Sequence, residues 1–214
     1  MHAGFNIYTP TFEKVSGSDA RLDLQDLKLI NSEGWGTETI WVLNDDGTQV
    51  TGETFTWQCS DMSGLEEDGW INDSGELADV KITEGDGFYI SCDADGVDLQ
   101  VAGGVKLGKF IHTMHAGFNL VGNFCPATIN IQGLKLVNTD GWGTETIWEL
   151  NDDGTQVTGT TYTWQNADMS GLDVDGWVND SGELADLDLP AGQGLYLSCD
   201  AADVDVEIDA VLVK

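Results

Sequence analysis

The sequence predicts an all-β protein made of two tandem homologous β-sandwich domains of the jelly-roll type. Three observations lead to this fold class. Most of the chain is an internal duplication, its apolar residues alternate with polar ones at the period of a strand, and no window keeps a helical period. About seven or eight short strands in roughly 100 residues, closed by Gly- and Asp-rich turns, are typical of a sandwich or jelly roll.

The duplication is read from two matches. The hexapeptide MHAGFN at 1–6 returns unchanged at 114–119, and the stretches 34–98 and 141–205 share 47 of 65 residues. The offset between the copies falls from 113 at the start to 107 thereafter. The first copy therefore carries six extra residues, which we expect in a surface loop within 9–19.

These matches divide the chain into repeat one at residues 1–107, a linker at 108–113, and repeat two at residues 114–214. A linker of about six residues is an ordinary connection between domains but leaves little slack. We therefore expect the two repeats to keep a restricted relative orientation.

The strands of repeat one follow in chain order. Leucines alternate with polar residues over 22–29 with one slip at Gln25-Asp26, which suggests a β-bulge. ETIWVL, NDDG and TQVTGETFTW then predict a hairpin, because β-branched and aromatic runs flank an Asn/Asp/Gly turn. Further strands are predicted at 79–83, 88–92 and 97–101.

Repeat two shows the same pattern and adds a strand near the end of the chain. One apolar face of that strand is predicted to consist of Val204, Val206, Ile208, Ala210 and Leu212.

Four tryptophans occur in each repeat, and two per repeat follow glycine in turn-rich segments. We expect these two to be exposed, where an indole can stack on a sugar or make an assembly contact. Burial in the core is the alternative. The four candidates are Trp35, Trp70, Trp142 and Trp177.

Carboxylates crowd one turn in each repeat, at 68–76 and 175–183. Ca²⁺ takes six to eight oxygen ligands, and carboxylates on turns supply them. Neither loop has the EF-hand spacing, so a solvated acidic surface with ordinary turns is the alternative to a calcium site. The candidate ligands are Asp68, Asp73 and Glu76, with Asp175, Asp180 and Glu183 in repeat two.

Of the four cysteines, Cys92 and Cys199 are equivalent, whereas Cys59 and Cys125 each occur in one repeat alone. Three complete pairings exist, and the distribution permits Cys59 with Cys92 and Cys125 with Cys199. An even count in an acidic all-β protein favours an oxidising compartment, and reduced buried thiols are the alternative. We therefore predict an extracellular or cell-surface location.

The composition excludes several classes of function. With 8 basic against 38 acidic side chains, the formal charge of −30 argues against nucleic-acid binding, which needs clustered Lys and Arg. No apolar run approaches the ~20 residues of a membrane helix, so no membrane insertion is expected. No nucleophile, His/carboxylate or phosphate-loop motif is present, so we predict that the protein is not an enzyme.

Two segments of repeat two, GFNLVGN at 117–123 and LDLPAGQGLYL at 187–197, resemble tandem β-domains of bacterial extracellular surface and fibre proteins. Those domains open with Gly-[Trp/Phe]-Asn-Leu-Val-Gly and close with Leu-x-Leu-x-Pro-Gly-x-Gly-aromatic. Here Ala191 stands between the proline and the glycine, and repeat one departs further at 4–10 and 82–90. The resemblance implies a tandem β-protein outside the cell and attaches no activity.

Two functional hypotheses follow. The first is an extracellular structural subunit that assembles with itself into a surface layer or fibre through strand-edge or end-to-end contacts. Copies that each carry −30 repel one another, so cations such as calcium, or salt, would have to aid assembly. The second is a carbohydrate-binding or adhesin module that uses exposed Trp residues, with calcium as an aid. Acidity as an adaptation to a high-salt habitat is a third reading.

Overall fold

The structure is a computed structural model that describes residues 1–13, 21–43, 50–82, 85–105, 108–150 and 157–209. Strands make up 51% of the chain and helices are very few, so the predicted all-β class is confirmed. The turn of the first predicted hairpin, most of the predicted loop insertion, and Ala210 and Leu212 lie outside the described residues. In the described part of the chain, no helix is long and apolar enough to cross a membrane.

The described residues of repeat one form nine strands and a short helix. They are β1 (Gly4–Tyr8), β2 (Leu22–Asp23), β3 (Leu27–Ile30), β4 (Trp35–Leu43), β5 (Val50–Gln58), α1 (Ser60–Ser63), β6 (Gly69–Ile71), β7 (Lys81–Ile82), β8 (Phe88–Cys92) and β9 (Asp98–Val101).

Repeat two has the same elements and one additional strand at its start. They are β10 (Phe110–Met114), β11 (Gly117–Gly122), β12 (Ile129–Asn130), β13 (Leu134–Val137), β14 (Trp142–Leu150), β15 (Val157–Gln165), α2 (Ala167–Ser170), β16 (Gly176–Val178), β17 (Asp188–Leu189), β18 (Gly194–Cys199) and β19 (Val204–Ile208).

The main sheet of each repeat is antiparallel and five-stranded. Its order is β1-β8-β4-β5-β6 in repeat one and β11-β18-β14-β15-β16 in repeat two. The predicted hairpin forms its centre as β4 and β5, and the register shifts between Trp35 and Thr39, where Gly36 has a φ of 78°. Only glycine enters this left-handed region without strain, so the Gly-Trp-Gly segment bends the strand and turns the tryptophan outward.

Smaller ladders accompany each main sheet. In repeat one β3 pairs with β9 and β2 with β7, and in repeat two β12 pairs with β17. The equivalent of the β3–β9 pair in repeat two is a three-stranded sheet of order β10-β19-β13. Most of the predicted linker at 108–113 therefore belongs to a strand, because residues 110–114 pair with β19.

The slip at Gln25-Asp26 is a 3-10 turn over Leu24–Asp26, and the predicted β-bulge is wrong there. The turn is held by the side chain of Gln25. Its amide nitrogen donates to the carbonyl oxygens of Trp70 at 2.6 Å and Ala78 at 3.1 Å, and its amide oxygen accepts from the Trp70 backbone N–H at 3.0 Å. Gln132 makes the same three bonds in repeat two. A glutamine that satisfies three distant backbone groups explains why both repeats interrupt the strand at this point.

Buried apolar side chains form two clusters, one for each repeat. The first extends from Leu22 to Val97 and the second from Phe110 to Ile208. Pairs of edge-to-face indoles lie in both, at Trp57 with Trp70 and at Trp164 with Trp177. The division of the chain into two sandwich domains stays a prediction.

Backbone hydrogen bonds and closely approaching glycines join the two repeats. The Gly87 N–H donates to the Leu120 carbonyl oxygen at 2.7 Å, and the Thr9 N–H donates to the Gly192 carbonyl oxygen at 3.0 Å. A Cβ on Gly87 would lie 2.7 Å from that Leu120 oxygen, and one on Gly194 would lie 2.9 Å from the Ile7 carbonyl carbon. Gly87 aligns with Gly194, so each repeat places the same glycine against the edge of the other.

A cavity of about 350 Å³ lies beside this contact. Phe55 and Phe88 of repeat one and Phe118 of repeat two contribute to its walls, together with His112, whose Nδ1 is 3.8 Å from an Asp86 carboxylate oxygen.

Candidate functional site

The additional strand β10 covers one edge of β19. The five residues Phe110–Met114 pair antiparallel with Val204–Ile208, from Phe110 opposite Ile208 to Met114 opposite Val204. Phe110 is buried and packs edge to face on Phe124, and Val206 and Ile208 are at most 1% exposed. In repeat two, therefore, this edge is paired and its apolar side chains are buried.

Met1 occupies the position of Met114 in repeat one. Its amino group donates to the Val97 carbonyl oxygen at 2.7 Å, and its own carbonyl oxygen accepts from the Gly96 N–H at 3.1 Å. The Asp203 N–H donates to the Met114 carbonyl oxygen at the same distance in repeat two. In both repeats, therefore, this methionine lies beside the first residues of the last strand, at the edge that β10 covers in repeat two.

Beyond Met1, the described residues supply no strand to the corresponding edge of β9, whose strand partner is β3. Since the Val97 carbonyl faces this edge, the backbone groups of Leu99 and Val101 face it too, because peptide groups alternate along a strand. The side chains of Leu99 and Val101 are half-buried, unlike their equivalents Val206 and Ile208. We call residues 98–101 with this unpaired side the β9 edge.

The tryptophan predictions divide into two outcomes. Trp35 and Trp142 are 64% and 68% exposed, as expected. Trp70 and Trp177 are fully buried, so the expectation of exposure is wrong for this pair. Each donates its indole N–H to a backbone carbonyl 43 residues away, Leu27 at 2.7 Å and Leu134 at 2.6 Å. Their polar atoms are satisfied inside the core, which removes the cost of burying them.

The carboxylates proposed as calcium ligands have structural partners in the turns. Asp68 accepts from the Ser60 backbone N–H and hydroxyl, both at 2.8 Å, and these bonds hold the pKa of Asp68 below its ordinary value. Asp175 accepts from the Ala167 N–H at 2.7 Å in the same way. Each of these carboxylates therefore satisfies the first backbone N–H of the short helix that precedes it.

Further along the same turns, Asp73 accepts from Thr54 at 3.4 Å and Asp180 from Thr161 at 3.0 Å. The backbone N–H groups of Glu76 and Glu183 donate to asparagine side chains within their own turns. Calcium binding by these six residues stays a prediction. Within the described ranges, a different group of carboxylates comes together, formed by Asp140, Glu145 and Asp200. The oxygen atoms that these side chains could offer to a metal lie within 4.8 Å of one another.

The sequence did not single out this cluster because Asp200 lies 60 residues from Asp140 and 55 residues from Glu145. Its signals were weak. Glu145 interrupts a run of strand residues with a charge, and in the same position of repeat one stands Glu38.

All four cysteines are free thiols in the structure. It therefore contains neither the disulfide between Cys59 and Cys92 nor the one between Cys125 and Cys199. Burial raises the pKa of Cys92 to about 11, and its sulfur lies 4.0 Å from that of Met1. Cys199 donates to the Ala201 carbonyl oxygen at 3.0 Å. Such protonated, buried thiols react slowly.

No protein family, curated protein or solved structure matches the chain. The resemblance to bacterial surface and fibre domains stays a prediction, and the function must be argued from this chain's own residues.

Proposed function

We propose that the protein is a non-catalytic extracellular subunit, built of two β-sandwich modules, that assembles end to end into a fibre or surface layer. The β9 edge of one copy accepts a strand from the segment that follows β19 in the next copy. The observation that carries this proposal is the strand β10, because it shows what fits the same edge in repeat two.

The relation between the repeats inside one chain supplies the model for assembly. The segment that leaves repeat one after β9 crosses to repeat two and becomes β10 on the edge of β19. In sequence, β19 is followed by residues 209–214, DAVLVK, which align with 102–107, the residues that precede β10. If they cross to the β9 edge of another copy, each copy donates at one end and accepts at the other. Such a heterologous contact does not close on itself, so it produces a filament.

The chemistry of the β9 edge suits an added strand. Pairing would satisfy the edge-facing backbone groups of Leu99 and Val101 and bury their half-exposed side chains. The internal pair shows how charge can be balanced at this contact, because Lys109 Nζ lies 2.6 Å from a Glu207 carboxylate oxygen. Gln100 replaces Glu207 in repeat one, which removes one negative charge from the accepting edge.

The full chain should therefore polymerise as salt or CaCl₂ screens its charge of −30, and removal of residues 209–214 should abolish polymers. A synthetic peptide with the sequence of residues 109–114 should compete for the β9 edge and shorten them, whereas a scrambled peptide should not. Negative-stain electron microscopy and sedimentation velocity report the length. Monomers under all conditions, or polymers that neither the deletion nor the peptide changes, would contradict the proposal.

A second candidate function is carbohydrate binding or adhesion, and the exposure of Trp35 and Trp142 favours it. The two indoles occupy the same position in each repeat, so one chain would present two stacking platforms. A glycan array with the full chain tests this function. Binding that survives Trp35→Ala and Trp142→Ala together would exclude these platforms as the site.

A further inference from the structure

We propose that Asp140, Glu145 and Asp200 bind one divalent cation of the Ca²⁺ type in repeat two. This site is separate from the turns considered above and from the β9 edge, so it goes beyond the assembly proposal. We call these three residues the Glu145 cluster.

The cluster is assembled by the main sheet of repeat two. Glu145 lies within β14, Asp140 precedes that strand by two residues, and Asp200 directly follows β18. Strands β14 and β18 are hydrogen-bonded neighbours, with Thr146 opposite Ser198. The pairing therefore brings the three carboxylates together, with ligand atoms within 4.8 Å of one another.

Glu145 is the residue of the cluster that points to a bound cation. Its side chain is 1% exposed, and both carboxylate oxygens are buried without a hydrogen-bond partner among the described residues. The ion pairs found in the described ranges do not include it either. An ionised carboxylate without a partner is strongly destabilising in a buried position, and two further carboxylates beside it add repulsion. A bound cation removes the cost for all three at once.

Repeat one provides an internal comparison. Glu38 is the equivalent of Glu145 and is also 1% exposed, but its Oε2 accepts a hydrogen bond from the Ser32 hydroxyl at 2.6 Å. Thr139 replaces Ser32 in repeat two and makes no such bond. The position of Asp140 differs as well, because repeat one has Glu33 there. Asp93 is the equivalent of Asp200, so repeat one has carboxylates at all three positions. There, however, the buried glutamate already accepts a hydrogen bond, and among the described residues only the carboxylates of repeat two have ligand atoms within 4.8 Å of one another.

The ligand set selects a hard cation. Three carboxylates supply only oxygen, which suits Ca²⁺ or Mg²⁺ and disfavours Zn²⁺. Ca²⁺ is favoured over Mg²⁺ because it tolerates irregular geometry, and Asp140 and Asp200 are exposed to the water that would complete its coordination.

Calorimetric titration of the full chain with CaCl₂, at a constant high NaCl concentration, tests the site. We expect one site whose affinity weakens at least about tenfold in Glu145→Gln, because even partners outside the first coordination shell contribute 10–100-fold. Asp200→Asn should weaken it too, and this exposed position keeps the test valid if Glu145→Gln folds poorly. Glu38→Gln is the matched control and should leave the affinity unchanged.

Thermal unfolding provides a second readout. CaCl₂ should raise the midpoint of wild type and of Glu38→Gln more than NaCl of equal ionic strength does, and Glu145→Gln should lose this difference. Absence of a calcium-specific effect in wild type would overturn the inference, as would equal losses in Glu145→Gln and Glu38→Gln. Both readouts are made on the protein in solution and stay informative whether or not it forms polymers.

Discussion

Replacement of Trp177 by alanine is expected to lower the free energy of unfolding by about 3–5 kcal/mol, the range for removal of a large buried aromatic side chain. Trp177 is fully buried against Trp164, and its indole N–H satisfies the Leu134 carbonyl oxygen. The substitution leaves a cavity and an unpaired buried acceptor together, which places the cost at the upper end of that range.

The matched control is Trp142→Ala in the same repeat. Because Trp142 is 68% exposed, its loss should change the free energy of unfolding by no more than about 0.5 kcal/mol. Chemical denaturation followed by circular dichroism measures both variants, and Trp70→Ala and Trp35→Ala repeat the comparison in the first half of the chain. Equal costs for the buried and the exposed tryptophan would show that the assignment of Trp177 to the core is wrong.

Substitution of alanine at Gly87 or Gly194 is expected to weaken the contact between the repeats by about 1–3 kcal/mol, the usual cost of forcing atoms into a packed site. The added methyl group would lie under 3.0 Å from atoms of Leu120 or Ile7 in the opposite repeat. Since backbone atoms are among those it would meet, a side-chain rotation cannot relieve the clash. The Gly87 N–H bond to the Leu120 carbonyl should be lost in Gly87→Ala.

Gly133→Ala is the control for this prediction, because its Cβ would lie 3.7 Å from the nearest atom, an ordinary contact. Hydrogen exchange at the backbone amides of residues 87 and 9 should be faster in Gly87→Ala and Gly194→Ala and unchanged in the control. Small-angle scattering should show a larger radius of gyration if the repeats separate. Unaltered exchange at these amides would mean that the close approach of the glycines does not hold the repeats together.

Several features of the fold were predictable because their signals are local. The alternation in ETIWVL and TQVTGETFTW gave strands β4 and β5, and the run at 88–92 matches β8. The strands β1, β6 and β10 were not predicted. Three residues are too few for β6 to show an alternation, and most of β10 lies in the segment that the sequence assigns to the linker. The 3-10 turn at Leu24–Asp26 was taken for a bulge because the three bonds of Gln25 that stabilise it join residues 45 and 53 positions away.

The candidate sites were harder to predict because the residues that form them are distant from one another in the sequence. Trp35 and Trp70 both follow glycine in similar turns, yet one is exposed and the other is buried. The Leu27 carbonyl oxygen that accepts the Trp70 indole N–H lies 43 positions away in the sequence. The acidic turns at 68–76 and 175–183 attracted attention because their charges are adjacent in sequence, whereas the Glu145 cluster depends on the pairing of β14 with β18.

The sequence by itself determined the duplication, the all-β class and the acidity of both repeats, since repeat length, side-chain period and charge are properties of neighbouring residues. Only the tertiary structure decided which tryptophans are exposed, which carboxylates meet, and that β10 covers an edge in repeat two whose counterpart in repeat one has no such strand among the described residues. Burial, electrostatic repulsion and strand pairing depend on what lies opposite a residue in space, and in this chain the decisive partners lie 43 to 98 positions away.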